Sequence, residues 1–343
     1  MFKTEKEIMG QPQSLRKTYD LMISKQDQIK DFFKDVKKVV FTGCGSSYSL
    51  CKSAALSMNM HTDITSFAVA AGDAMINFEY YSNIFKDAAI VAPSRSGSTS
   101  EVVNLVKIAQ EKYGSKSFCI CAKERSTLSE LSELSIELPW AFDESVCQTR
   151  TVTNLYTVNL ILSAMISGET ALLNQINNAV SQIGTFIQEN KNICTQIGNL
   201  GQWDNVVVLA DAEMEGIAEE ASLAFKEICQ LPSNYYHVLD SRHGPMVLFN
   251  DKTLVLAVLS PKDQKYQKDF IKDVKDHQCT VVTISQDTEN IWDSMFHIEL
   301  PKLQFASCGI PFITIAQMIS LYKALHMGIN PDLPKGLDPW IKL

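Results

Sequence analysis

Lys38-Val39-Val40-Phe41-Thr42-Gly43-Cys44-Gly45-Ser46-Ser47 is the stretch that decides the fold. An apolar run too short for a helix meets two glycines, and a helical pattern over residues 48–58 follows the serines. Strands buried on both faces read as unbroken apolar runs, because neither face meets water. Similar runs recur at 64–69, 88–92, 117–122 and 135–138, and again at 205–210, 235–239, 253–259, 279–284 and 296–300. Helical patterns separate most of them. Strand–helix alternation predicts an α/β fold of doubly wound type, with parallel sheets flanked by helices.

The two sets of runs read as a duplication. Ser135-Ile136-Glu137-Leu138-Pro139 is echoed by His297-Ile298-Glu299-Leu300-Pro301, and the first strands of the two sets, 39–41 and 206–208, lie at nearly the same offset. An apolar helical stretch follows each Pro-ended strand. The expected organisation is a helical segment at 1–34, a first subdomain at 35–170, a helical link at 171–199 and a second subdomain at 200–343.

The 343 residues carry a net charge of −8, with 45% apolar and 20% charged residues. That profile is globular, and its sign argues against a nucleic-acid partner, whose backbone needs clustered Lys and Arg. It does not exclude a small phosphate, which hydroxyls and backbone N–H groups can hold. No signal-peptide pattern and no apolar run of membrane-crossing length is read, so no membrane association is expected. The nine cysteines form no CxxC pair and read as buried thiols of a cytoplasmic protein; no metal and no cofactor are expected.

Two loops carry the candidate chemistry. In the first, Gly43 and Gly45 allow a tight turn and close approach of a ligand, while Ser46 and Ser47 offer hydroxyls beside a helix N-terminus. The bland alternative is a strand-to-helix turn capped by serine. The second, Ser94-Arg95-Ser96-Gly97-Ser98-Thr99-Ser100, follows the third strand. Its hydroxyls stand at the C-terminal edge of a parallel strand, where ligands bind in open α/β sheets. The equivalents in the second half, Asp211-Ala212-Glu213-Met214 and Ser260-Pro261-Lys262-Asp263, carry acidic groups that would repel a phosphate, so one phosphate site per chain is expected. The second half offers Glu220, Ala224 and Glu227 on related faces of one helix, and His243 before Gly244-Pro245. Taken singly, Glu227 reads as a solvated residue paired with Lys226, and His243 as a turn residue.

In order along the chain, these segments resemble the sugar isomerase (SIS) family, and within it the isomerase half of glucosamine-6-phosphate synthase and its stand-alone deaminase and deglycase relatives. The resemblance opens with Lys6-Glu7-Ile8-Met9-Gly10-Gln11-Pro12 and takes in residues 43–47 and 94–99. It continues through Gln148-Thr149-Arg150-Thr151-Val152-Thr153, Phe225-Lys226-Glu227-Ile228 and Arg242-His243-Gly244-Pro245, and ends with residues 330–337. It implies two SIS subdomains of flavodoxin-like, doubly wound form. It implies phosphate contacts from Ser94, Arg95, Ser96 and Thr99 and sugar contacts from Ser46 and Ser47, with Gly45 and Ser98 in the same loops. It implies that Glu227 moves a proton between sugar carbons one and two, and that His243 opens the ring, reaching the site from the other subunit of a homodimer.

Two departures shape the expectation. Ala224 stands where the synthase-like pattern has a lysine, and the family's C-terminal lysine position falls on Pro339, with Lys342 three residues on. A lysine amine there would condense with an open-chain carbonyl. Met1 leads directly into the isomerase-like opening, so no glutaminase half is expected. The resulting expectation is an enzyme on an amino- or amine-linked hexose 6-phosphate, a deaminase, deglycase or isomerase. The alternatives are a simple aldose–ketose phosphosugar isomerase and a non-catalytic sugar-phosphate-binding protein.

Overall fold

A computed structural model describes residues 1–337. Three helices, α1 (Lys3–Met9), α2 (Gln11–Ser24) and α3 (Gln26–Phe33), open the chain. The first half continues β1 (Lys38–Gly43), α4 (Ser46–His61), β2 (Thr65–Ala70), α5 (Ala71–Ile76), α6 (Ser82–Phe85), β3 (Ala89–Ser94), α7 (Ser100–Tyr113), β4 (Ser117–Cys121), α8 (Thr127–Leu131), β5 (Leu134–Glu137) and α9 (Arg150–Ser167). α10 (Thr170–Gly198) leads into β6 (Asn205–Leu209), α11 (Glu215–Ile228), β7 (Ser233–Tyr236), β8 (Thr253–Val258), α12 (Gln264–Asp276), β9 (Thr280–Ser285), β10 (Phe296–Glu299) and α13 (Gly309–His326).

The sheets run β2-β1-β3-β4-β5 and β10-β9-β8-β6-β7, all pairs parallel. Counted from the first strand of each half, both have the order 2-1-3-4-5, the flavodoxin-like winding whose switch point lies between its first and third strands. β3, β8 and β9 are buried along their whole length, which is why they read as unbroken apolar runs.

The helices that join the halves are buried from nearly every side. α9 and α13 present few exposed residues, and the core runs continuously from α2 through α9 and α11 to α13. The segment Phe305–His326 is long and apolar enough to cross a membrane, although Thr314, Gln317 and Ser320 interrupt it; 94% of its apolar window is buried in the protein. This differs from the expectation of no run of that length, and burial explains the apolarity without a bilayer.

Two expected elements differ. The N-terminal helix is broken at Gly10, because Pro12 cannot donate within a continuing helix and restarts one at α2. The expected strand at 235–239 ends at Tyr236, because the Val238 N–H donates to the Asp211 carboxylate (3.0 Å) instead of a ladder. Pro339 and Lys342 lie outside the described residues.

Candidate active site

β1 and β3 are neighbours, so their C-terminal ends deliver both serine-bearing loops to the switch point. At the first, Gly45 takes φ +53° and α4 starts at Ser46. A Cβ on Gly43 would lie 2.9 Å from the Ser47 backbone, so only glycine lets the helix start so close to the strand. At the second, the Ser94 hydroxyl accepts from Gly97 N–H (2.9 Å) and Ser96 Oγ from Ser98 N–H (3.2 Å), folding the loop back before α7. Gly97 takes φ +58°. A Cβ there would run into Ser126 Oγ and lie 2.5 Å from its Cβ. Gly97→Ala is therefore expected to lower unfolding free energy by about 1–3 kcal/mol, from a strained φ plus a clash. Urea unfolding checks it; an unchanged midpoint would remove the claim that this loop conformation is obligatory.

One small cleft results, walled by Ser47 from the first loop, by Ser94, Arg95, Ser96 and Thr99 from the second, and by Gln148 before α9. Both serine loops thus face a single space between the N-termini of α4 and α7, where backbone N–H groups and the helix dipoles favour an anion. Thr99 makes no side-chain capping bond to α7. Cys44 also lines the cleft, but burial pushes its thiol up to about 11, so it is neutral and no nucleophile. A larger hollow, lined by Lys30, Lys34, Lys37 and His61 among others, opens at the N-terminal ends of the first sheet's strands, the edge where such sheets do not place their chemistry.

The other expected residues go elsewhere. Gly45 shapes the turn without lining the cleft, and Ser98 is exposed with its hydroxyl on the Ser96 carbonyl (3.3 Å). Ser46 bonds to the Glu220 carboxyl of α11. Arg95 is 8% exposed, and its Nη1 donates to the carbonyls of Ser145 (3.0 Å) and Val146 (2.9 Å). Its positive charge acts on Glu227, which brings a carboxyl of the second half within electrostatic reach of the first half's loop.

Glu227 is partly buried. Burial pushes its carboxyl up to about 7, against the pull of Arg95 and Lys226 in the other direction. Glu220, two turns earlier, is 2% exposed, and its Oε2 has no hydrogen-bond partner. Burial, then the neighbouring Glu227 charge, hold Glu220 well above the usual carboxylate range. A group poised near 7 suits proton transfer in either direction at neutral pH. His243 is exposed at the end of the 3-10 turn Asp240–Arg242 and is not among the cleft residues; Leu239, Val247 and Leu248 are exposed apolar neighbours in sequence.

The sequence reading takes Gln148 only as the first residue of segment 148–153 and gives it no site role, yet its Oε1 is buried without a partner at the cleft. Its position just ahead of α9 was the available signal. Among the described residues no group of three or more His, Cys, Asp or Glu side chains is arranged to hold a metal ion.

With this geometry in hand, comparison with known proteins gives a consistent result. Residues 32–165 match the family described as SIS domain. The chain is 26% identical over 338 residues to glutamine–fructose-6-phosphate aminotransferase (isomerizing) of Sulfolobus acidocaldarius, covering 97% of this chain and 55% of that protein. It is 24% identical over 357 residues to D-galactosamine-6-phosphate deaminase of Escherichia coli, covering 97% and 91% respectively. The chain thus spans about half the length of the aminotransferases it matches and most of the deaminase. The crystal structure of tagatose-6-phosphate ketose/aldose isomerase from Escherichia coli superposes with TM-score 0.86 at 23% identity, covering 99% of this chain and 97% of that one. Glucosamine-6-phosphate deaminase from Thermotoga maritima superposes with TM-score 0.77 at 22% identity, covering 99% and 100%. Residues 32–165 of this chain are thus a SIS domain.

Proposed function

We propose that this protein is an enzyme acting on an amine-bearing hexose 6-phosphate, releasing ammonia or an amine. One observation carries the reading: Arg95, which walls a cradle of hydroxyls and helix N-termini suited to a dianion, also acts on a carboxyl that burial pushes up to about 7. In this reading Ser47, Ser94, Ser96 and Thr99 bind the phosphate, and Gly45, Ser46 and Ser98 shape the loops. Arg95 lends its charge to both ends. For an open-chain 2-amino aldose, Glu227 takes the proton from C2 and returns it at C1, while O1 gains a proton and the nitrogen gives one up. That leaves a C2 imine, which water hydrolyses to the ketose and ammonia. Ala224 in place of a lysine favours this route, because the substrate's own nitrogen supplies the imine.

Ring opening falls to His243. Because His243 is exposed outside the cleft, the reading includes a homodimer in which each copy supplies this histidine to its partner. The exposed Leu239, Val247 and Leu248 would be covered by that contact. The nine free cysteines suit a reducing compartment, and we place the enzyme in the cytoplasm.

The test is amine release from a panel of 6-phosphorylated amino-hexoses and fructosamines. At least one member is expected to yield amine and ketose or aldose phosphate. Proton exchange at C2 without amine release would make the enzyme a simple aldose–ketose isomerase. Binding of the whole panel without turnover would make it a sugar-phosphate-binding protein.

A further inference from the structure

The least expected link to the active centre starts at the N-terminal helix. Glu7 of α1 is 4% exposed. Its Oε1 accepts from the backbone N–H groups of Glu144 (2.6 Å) and Ser145 (3.1 Å), and its Oε2 accepts from the Ser145 hydroxyl. The carbonyls of Ser145 and Val146 accept from Arg95 Nη1. One buried carboxylate therefore grips the amide side of a short loop whose carbonyl side grips the arginine.

α1 is itself clamped. Asp332 accepts from Lys3 N–H (2.8 Å), Thr4 N–H (2.8 Å) and Thr4 Oγ1 (2.8 Å), and Val146 N–H donates to the Asp332 carbonyl (3.3 Å). Asp143 steadies the far side of the loop, its Oδ2 accepting from Thr149 and Thr151 N–H, each at 2.8 Å. A guanidinium is a rigid planar fork, so the placement of two carbonyls sets where its charge lies. That charge acts on Glu227. The Glu7 charge also acts on Arg95 directly, favouring its cationic form.

We propose that Glu7 is a positioning residue for the active centre: by holding Glu144 and Ser145 it fixes the carbonyls that place the Arg95 guanidinium. The proposal rests on the reading that Glu227 acts on substrate. It assigns Glu7 no contact with that substrate. The charged and titratable groups acting on or beside Glu227 are Arg95, Lys226, Glu220 and Cys147. Of these Arg95 and Cys147 are tied to Glu7 through the loop, Cys147 by its carbonyl on the Ser145 hydroxyl (2.9 Å); burial holds the Cys147 thiol well above its usual range, so it is neutral and Arg95 carries the charge.

The experiment follows the Glu227 carboxyl by NMR in full-length protein carrying 13C-labelled glutamate, its signal assigned by loss in Glu227→Gln. Glu7→Gln keeps the side-chain shape and one acceptor but loses the charge and the second acceptor; Glu7→Ala removes all three loop bonds. In both, the Glu227 titration midpoint is expected to move upward, by roughly half a unit or more in Glu7→Ala, as the cation loosens. kcat/KM is expected to fall about tenfold in Glu7→Gln, with the acidic limb of its pH profile moving the same way. If Glu7→Ala does not fold, Glu7→Gln decides. A lowered melting temperature with an unmoved Glu227 midpoint would reduce Glu7 to a structural anchor and overturn the proposal. Full turnover by Glu227→Gln would overturn the functional reading instead, and the NMR midpoint would still report on Glu7.

Discussion

Glu227→Gln is expected to cut turnover by about three orders of magnitude, within the range assigned to a positioned acid–base, while sugar-phosphate binding survives. The same variant is expected to be more stable than the parent at pH 8. The carboxyl ordinarily loses its proton near 4.5, and in the folded protein it does so at about 7. Between those values the folded state holds a proton that the unfolded state has released, so stability falls as pH rises through this window. Above pH 7 the full cost stands, at most about 3 kcal/mol, reduced by the solvent that reaches this partly exposed group. Glutamine carries no such cost. The stability difference between variant and parent should therefore be near zero at pH 4, grow through pH 5 and 6, and level off above 7. Denaturant unfolding across that range, paired with the amine-release assay, reads both effects. A variant that turns over normally would remove Glu227 from the chemistry. A variant with a stability gain independent of pH would remove the burial argument.

Gly216→Ala is expected to be the most damaging small substitution. Gly216 begins α11 where it crosses α4, and a Cβ there would run into the Ser49 carbonyl oxygen and lie 2.6 Å from the Ser53 nitrogen. Both are helix backbone, which cannot rotate away. The helices are also tied by Ile217 N–H to Ser53 Oγ (3.1 Å) and by Lys52 with Glu219 (2.8 Å). Alanine would gain about 1 kcal/mol of helix propensity over glycine. Separating two packed backbones costs more, at least about 3 kcal/mol net, at the upper end of overpacking effects. The functional loss should exceed the stability loss. α4 carries Ser46 and Ser47 at its start, α11 carries Glu220 and Glu227, and prying the two apart pulls Glu220 from its Ser46 hydroxyl and shifts Glu227 relative to the serine loops. Guanidinium unfolding and kcat/KM measured where the variant is still folded separate the effects. An unfolding midpoint at or above the parent value would show that the crossing is looser than the geometry demands.

Much of the architecture was legible because the rules that govern it are short-range. An apolar run such as Val39-Val40-Phe41 can be satisfied only by cover on both faces, and the repeated Ile-Glu-Leu-Pro motif marked the last strand of each sheet. The serine loops were legible for the same reason, since glycines with positive φ followed by a helix start leave few other conformations. The direction of each polar side chain was not. Ser46 turns to Glu220, 174 positions away in the chain, and Arg95 to carbonyls about 50 positions away, and no local pattern encodes such partners. His243 and the strand expected at 235–239 show the same limit, because Val238 finds its acceptor in Asp211 of another loop.

The sequence by itself determined two parallel α/β halves, the edge of the first sheet that holds the cleft, and the hydroxyl character of that cleft, all through periodicity, glycine and helix ends. Only the tertiary structure decided that Glu227 lies within electrostatic reach of Arg95, that burial lifts it to about 7, and that Glu7 holds the loop on which Arg95 rests. Those properties depend on the distance and dielectric between groups remote in the chain, and folding alone sets both.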